Sequence, residues 1–566
     1  MSRHLLLLVF AVLRVSALWP VPQSVTTGSA HLRLSPSFNI TVSGIDFPPA
    51  DLTDAMSRTK KYLYNDKLQR LVEGRGANDA GVIASAASLQ RLTLVFQGKS
   101  VSSISTEAVA ELGSRVESYT LTVPADGLDA TITANSTLGL FRGLTTFSQL
   151  WYVWEDTIYT PEAPVDIVDA PAYPYRGLML DTARNFFPVS DLKRTLDAMS
   201  WVKMSTLHWH VTDSQSFPLE VAKFPNLSAK GAYSSSMIYS TSDIEGIVAH
   251  AASRGIDVLV EVDTPGHTGI IAEAYPDHVA CSGATPWQNY ANEPPAGQLR
   301  VASSDTVNFT TSLVSAISSM FPSKYFSTGG DEINFNCYDD DNVTQADLAA
   351  RGITITQALD SFTESTHSAL RAAGKTPVVW EEMLLDYNIT TLGSDTIVMV
   401  WLSSDHAAAV AEKGHKFVHA ASDYFYLDCG AGEMLANTVD QTSWCDPFKT
   451  WQKIMSLSYR QHTLPLTSLQ AYSFDPTANL TKEQSQLVLG GQQLLWTEQS
   501  SPSNLDPIVW PRAAASAEVF WSGPGRNGNE ALSRLHDVRF RFKQRGVAAI
   551  ALQPLWCALR PGLCSA

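Results

Sequence analysis

Residues 325–337, Tyr-Phe-Ser-Thr-Gly-Gly-Asp-Glu-Ile-Asn-Phe-Asn-Cys, run from an apolar start through two glycines into two adjacent carboxylates, Asp331 and Glu332. A short apolar segment closed by glycine reads as a buried strand entering a tight turn. Carboxylates placed there cost free energy unless they are hydrogen-bonded or put to use. Alone, the same residues also fit a turn carrying two solvated acids. What decides between the two readings is repetition of the unit.

Working outward from this stretch, apolar strands followed by polar turns and helical stretches recur from Tyr175 onward. The strands fall near Arg176–Asp181, Thr206–Val211, Asp257–Val262, Tyr325–Thr328, Pro377–Trp380, Ile397–Trp401, Phe417–Ala420 and Leu494–Trp496. Helical periodicity lies between them over Asp191–Val202, Ser242–Arg254 and Gln357–Ala373. Near-continuous apolar strands alternating with helices predict a parallel sheet, and eight such units predict an α/β fold of the (β/α)8 TIM-barrel type with insertions. Upstream, residues 18–170 alternate β-like runs (Leu92–Phe96, Tyr119–Val123, Ala130–Ala134) with turns and end in an amphipathic helix over 139–151, the pattern of a smaller α/β domain. The proline-rich stretch 161–174 marks the expected boundary, so the barrel occupies 171–566.

At 566 residues the chain exceeds one ordinary core, in keeping with two domains. A formal net charge of −16 repels phosphate backbones, which argues against a nucleic-acid partner. Residues 1–17, a short apolar run Leu5–Leu13 followed by Val15-Ser16-Ala17, read as a secretory signal peptide, and no later run is long enough to cross a membrane. Export is also expected from acceptor motifs for N-glycosylation at Asn39, Asn135, Asn226, Asn308, Asn342, Asn388 and Asn479. Six cysteines in an oxidising compartment allow fifteen pairings; local pairing is expected, Cys281 with Cys337, Cys429 with Cys445 and Cys557 with Cys564. None has the spacing of a zinc or redox site, so no metal is expected.

Barrels of this kind carry their chemistry at the C-terminal strand ends. There the sequence gathers Arg176 and Asp181; His208, His210 and Asp213; Asp263 and His267; Asp331 and Glu332; Trp380 and Glu382; Trp401; Tyr426 and Asp428; Trp496 and Glu498. Carboxylates, histidines and indoles converging on one mouth suit a sugar, whose C–H face packs on aromatic rings while its hydroxyls meet charged groups. For any single tryptophan among them, core packing is the commoner fate. No Gly-X-Gly-X-X-Gly or Walker-type loop follows a strand, so neither nucleotide nor cofactor is expected.

Seven ordered pieces, Arg176-Gly-Leu-Met-Leu-Asp181-Thr-Ala-Arg184, His208-Trp-His-Val-Thr-Asp213, Glu261-Val-Asp263-Thr-Pro-Gly-His267, Gly329-Gly-Asp331-Glu332, Val378-Val-Trp380, Tyr426-Leu-Asp428 and Leu495-Trp496-Thr-Glu498, resemble glycoside hydrolase family 20, the β-N-acetylhexosaminidases, and most closely its secreted fungal members. The resemblance covers about 170–520 and implies a zincin-like form for the N-terminal domain. It implies a retaining reaction in which the substrate's 2-acetamido oxygen attacks the anomeric carbon, so that no enzyme nucleophile is needed. It further implies that Glu332 is the general acid and base, that Asp331 holds the acetamido N–H, that Tyr426 positions the attacking oxygen, and that Asp213 and His267 orient the glutamate. Arg176, Asp428 and Glu498 then grip the sugar hydroxyls, Trp380, Trp401 and Trp496 wall the pocket, and Trp444 offers a platform for the next sugar. Homodimers are expected by the same resemblance. Because Glu332 must be protonated to act as an acid, burial and the neighbouring Asp331 are expected to raise its pKa. Two departures from the family pattern are Thr328, where many lysosomal relatives have histidine, and an extra stretch over 455–471 with no clear period.

Overall fold

The computed structural model describes residues 17–387, 389–431, 443–454, 475–524 and 528–564. The expected leader apart from Ala17, the acceptor Asn388 and the extra stretch 455–471 lie outside the described residues. Six strands build the N-terminal sheet: β1 (Ser24–Ser43), β2 (Ala87–Phe96), β3 (Tyr119–Val123), β4 (Ala130–Ala134), β5 (Tyr152–Trp154) and β6 (Thr157–Asp169), in the order β1-β2-β4-β3-β6-β5 with β1 also pairing β6. In β3 burial alternates residue by residue, because a strand with one face on a core buries every second side chain. The proline-rich boundary expected over 161–174 is strand as far as Asp169. Pro161 and Pro164, which lack an N–H, occupy no paired position and fall where β1 shifts register, which is how a strand accommodates them.

The helix Thr137–Gln149, capped by the Ser136 side chain on the N–H of Gly139 at 2.7 Å, is buried along nearly its whole length. It is covered on both sides, by its own sheet and by the bottom of the barrel. From it Arg142, fully buried, donates to Glu117 at 2.8 Å and to the carbonyl of Gly255 at 2.8 Å.

All eight expected barrel strands are present: β7 (Tyr175–Asp181), β8 (Thr206–Thr212), β9 (Asp257–Val262), β12 (Tyr325–Ser327), β13 (Thr376–Trp380), β14 (Ile397–Val400), β15 (Phe417–His419) and β16 (Val488–Leu495). A two-stranded pair, β10 (Val279–Ala280) and β11 (Gln298–Leu299), sits outside the barrel. The eight close in chain order, every neighbour parallel, with β16 pairing β7 from Gly490↔Tyr175 to Leu495↔Leu180. β16 starts six residues before the expected Leu494. The added residues include two glycines that close approach requires: a Cβ at Gly490 would lie 1.9 Å from the Tyr175 carbonyl oxygen, and one at Gly491 2.2 Å from the Phe520 ring.

Each domain has its own apolar cluster, and each cluster holds one indole from the other region of the chain. Trp19 lies in the barrel core and Trp521 in the N-terminal core. Trp19 donates from Nε1 to the Ala514 carbonyl at 2.8 Å, and Trp521 from Nε1 to Asp169 at 2.9 Å. Disulfides join Cys281–Cys337, Cys429–Cys445 and Cys557–Cys564. The acceptor asparagines within the described residues, Asn39, Asn135, Asn226, Asn308, Asn342 and Asn479, are all exposed.

Candidate active site

The acid pair owes its position to the glycines before it. Gly329 and Gly330 have φ of 63° and 97°, and Glu332 itself has φ 52°, so the chain leaves β12 in left-handed steps that non-glycine residues seldom take. Space requires glycine as well: a Cβ on Gly329 would lie 1.9 Å from Asp263 Oδ1, the atom that accepts the Gly330 N–H at 2.8 Å. A left-handed acid at a strand end is the kind of backbone strain found at functional sites. Beyond it, the Cys281–Cys337 bond fastens the loop that starts at Cys281 to the helix Phe335–Asp340.

Behind the acids runs a buried chain of alternating acids and histidines. Glu261 meets His210 Nδ1 at 2.6 Å, His210 Nε2 meets Asp213 at 2.8 Å, and Asp213 Oδ1 meets His267 Nδ1 at 3.2 Å. His267 Nε2 then faces Glu332 at 3.5 Å and Asp331 at 3.7 Å. Burial disfavours charge on His210, but hydrogen bonds to Asp213 and Glu261 outweigh it and push its pKa up to about 9. His267 likewise lies well above its ordinary value, because the Asp213 and Asp263 charges overcome its burial.

The two acids differ in the sense opposite to the expectation for Glu332. Burial raises its pKa, but the hydrogen bond and charge of His267, a hydrogen bond from Asn292 and the charge of Arg184 more than offset this and hold it below its ordinary value. Asp331 lies well above its own, through burial and then the charge of Asp263. Its carboxyl also shares a hydrogen bond with that of Asp263, which burial pushes up to about 7.

The cleft over these groups encloses about 1410 Å³ of space open to solvent. Asp331, Glu332, His267, Trp401, Tyr426, Asp428, Trp444, Trp496 and Glu498 all line it, as their positions in the sequence lead one to expect. Trp401 stacks on Tyr426 with centroids 6.2 Å apart and planes 18° apart, while Trp444, 54% exposed, meets Trp401 edge-on at 5.7 Å. Asp213 is the link behind His267. Trp380 sits below the cleft, stacked on His208 at 5.8 Å and tilted against Trp496 at 6.1 Å. Burial pushes Asp428 up to about 7 and holds Glu498 well above the usual carboxylate range.

Arg176 is not at the site. It is the second residue of β7, at the N-terminal end of the barrel, where it is buried against Glu117 at 2.6 Å and the Lys203 carbonyl at 2.9 Å. The arginine at the mouth is Arg184, three residues past the other end of the strand. It reaches Asp213 at 3.1 Å, Asp181 at 3.2 Å and Glu293 at 2.5 Å, approaches Glu498 at 4.0 Å, and lies over the Trp496 ring at 4.9 Å. Asn292 and Glu293, also at the cleft, come from the loop after Cys281 and carried no pattern in the sequence. Arg184 did carry one, since strand direction alone separates it from Arg176.

Acids of unequal pKa beside an indole wall, at the C-terminal mouth of such a barrel, define a glycoside hydrolase. Known proteins agree: residues 173–524 match the catalytic domain of glycosyl hydrolase family 20, and residues 18–150 a domain described as beta-acetyl hexosaminidase like. A beta-hexosaminidase of Arthroderma benhamiae is 32% identical over 97% of both chains. The chitooligosaccharidolytic beta-N-acetylglucosaminidase of Bombyx mori is 34% identical over 80% of this chain and 75% of its own. The crystal structure of Flavobacterium johnsoniae chitobiase superposes with a TM-score of 0.72 at 26% identity, covering 94% of this chain and 73% of that one. The chain belongs to glycosyl hydrolase family 20. Within it, the protein is a β-N-acetylhexosaminidase.

Proposed function

We propose that the protein is an exo-acting enzyme that removes terminal non-reducing β-linked GlcNAc, and GalNAc where the contacts at C4 admit the epimer, from chito-oligosaccharides or glycoconjugates after secretion. The reaction retains configuration through an oxazolinium intermediate formed by the substrate's own acetamido oxygen. The observation that carries this reading is the adjacent pair Asp331 and Glu332, both lining the cleft beside the stacked Trp401 and Tyr426. Once anionic, Asp331 accepts the sugar's 2-acetamido N–H in a charge-assisted hydrogen bond. Glu332 protonates the leaving oxygen and then draws a proton from water, Tyr426 orients the acetamido oxygen, and Arg184, Asp428 and Glu498 take the hydroxyls. Orienting the substrate's own nucleophile supplies effective molarity in place of a second reagent.

The proton inventory suits this division of labour. In the protein alone, burial and the charge and hydrogen bond of Asp263 favour a proton on Asp331, while His267 disfavours one on Glu332. The working form has Glu332 protonated and Asp331 anionic. An N–H presented to Asp331, and positive charge growing at the sugar ring, favour that redistribution. The test is hydrolysis of an aryl β-GlcNAc beside the aryl β-glucoside that lacks the acetamido group. A loss of at least about 10³-fold with the glucoside is expected, within the reach of oriented intramolecular attack; comparable turnover of both overturns the mechanism.

A further inference from the structure

Glu381 and Glu382 follow β13 and lie behind the cleft wall rather than in it. Both are buried. Glu381 accepts the backbone N–H of Trp401 at 2.9 Å, and Glu382 accepts its indole Nε1–H at 2.7 Å. Two successive carboxyl groups at one strand end therefore hold both N–H groups of a single tryptophan at the next. That indole is the ring stacked on Tyr426. The same stretch also supports the acid turn. The Met383 side chain lies 2.6 Å from where a Cβ on Gly330 would stand, and Tyr387 Oη accepts the N–H of Ile333, the residue after Glu332, at 3.0 Å.

We propose that Glu382 is a positioning residue for the reaction: its carboxyl sets the plane of the Trp401 indole against Tyr426, and through that wall the seat of the acetamido group beside Asp331. This rests on the substrate-assisted reading above. Glu382 touches no part of the cleft itself, so it acts through Trp401. Burial and then the charge of Asp331 push its pKa up to about 9, so at acidic and neutral pH it is an uncharged acceptor. Asp331, Glu381, Tyr387 and Tyr426 are the titratable groups around it. A charged carboxylate here would add repulsion at the very moment Asp331 becomes anionic.

The role separates from simple packing by chemistry at fixed volume. Glu382→Gln keeps an uncharged acceptor for the indole N–H, whereas Glu382→Leu fills the space without one. With an aryl β-GlcNAc, the glutamine variant is expected to keep kcat within about threefold. The leucine variant is expected to lose about 10²-fold in kcat with KM within about threefold, the effect of a misplaced reacting group. Added to Trp401→Phe, which has no indole N–H to hold, Glu382→Leu is expected to cost nothing further. A glutamine variant as impaired as the leucine one, or losses that multiply in the double variant, overturn the proposal. Should the leucine variant not fold, Glu382→Asp, which withdraws the acceptor by one methylene, is expected to lose about tenfold in kcat, and wild-type kcat there overturns it too. Failure of the underlying mechanism shows separately, as turnover of the glucoside by the unmodified enzyme.

Discussion

Replacing Arg184 by glutamine removes the guanidinium that Asp181, Asp213 and Glu293 share at the cleft, at distances of 3.2, 3.1 and 2.5 Å. Taking one partner from a buried ion pair costs about 3–5 kcal/mol, because the acids left behind have lost their solvation and gained nothing. Here part of that cost reaches the chemistry. The Asp213 carboxyl rises toward its ordinary value, loosening its hold on His267, and Glu332 loses one of the charges that keep it low. If about 3–4 kcal/mol appears in the transition state, kcat/KM on an aryl β-GlcNAc falls about 10²–10³-fold, at about 1.4 kcal/mol per factor of ten. Arg176→Gln is the matched control. It leaves Glu117 with Arg142 alone and strips donors from the Lys203 and Tyr173 carbonyls, so it lowers the melting temperature while kcat/KM per folded molecule stays within about threefold. Steady-state kinetics with thermal unfolding of both variants decides the matter. An Arg176 variant that is stable but as inactive as the Arg184 variant refutes the placement of the sugar-binding arginine.

Gly329→Ala puts a Cβ 1.9 Å from Asp263 Oδ1 at a φ of 63°, and is expected to cost about 3 kcal/mol of stability and most activity, read by denaturant unfolding and rate. His210, raised from 6.5 to about 9 in the fold, contributes stability that is fully present below pH 6.5 and lost as pH rises through about 9, at most about 3 kcal/mol. The melting temperature should therefore fall between pH 6 and 9, and fall less in His210→Asn; equal falls would contradict the ion-pair assignment. Trp444→Ala should weaken kcat/KM about tenfold or more on a chito-oligosaccharide and little on an aryl monosaccharide, as expected for an aromatic platform beyond the cleaved bond; equal losses would count against that role.

What the sequence disclosed depended on how local the cause was. Strand polarity, glycine turns and apolar runs are local, and they led to all eight barrel strands and to most of the cleft. Arg176 and Arg184 share one motif, yet the direction of β7 puts Arg176, its second residue, and Asp181 at opposite ends of the barrel. Asn292 and Glu293 were out of reach, since nothing periodic marks their loop and what ties it to the cleft is the ion pair of Glu293 with Arg184, 109 residues earlier. The pKa order of the acid pair was inverted for a similar reason: adjacency of Asp331 and Glu332 is visible in sequence, but the partner that dominates Glu332 is His267, some 65 residues earlier. β16 starts six residues before its expected first residue, through glycines whose purpose lies in the strands and helix against them.

The exchange of Trp19 and Trp521 between the two apolar clusters bears on how the molecule comes apart. Neither cluster can be withdrawn intact: pulling the N-terminal sheet away drags an indole out of the barrel and leaves a hole where it sat, and the reverse holds for Trp521. Buried cavities of indole size are costly, so partial separation is penalised on both faces at once. The two halves are thereby coupled into one cooperative unfolding unit, and the barrel, though it carries all the chemistry, is not thermally independent of the domain beneath it.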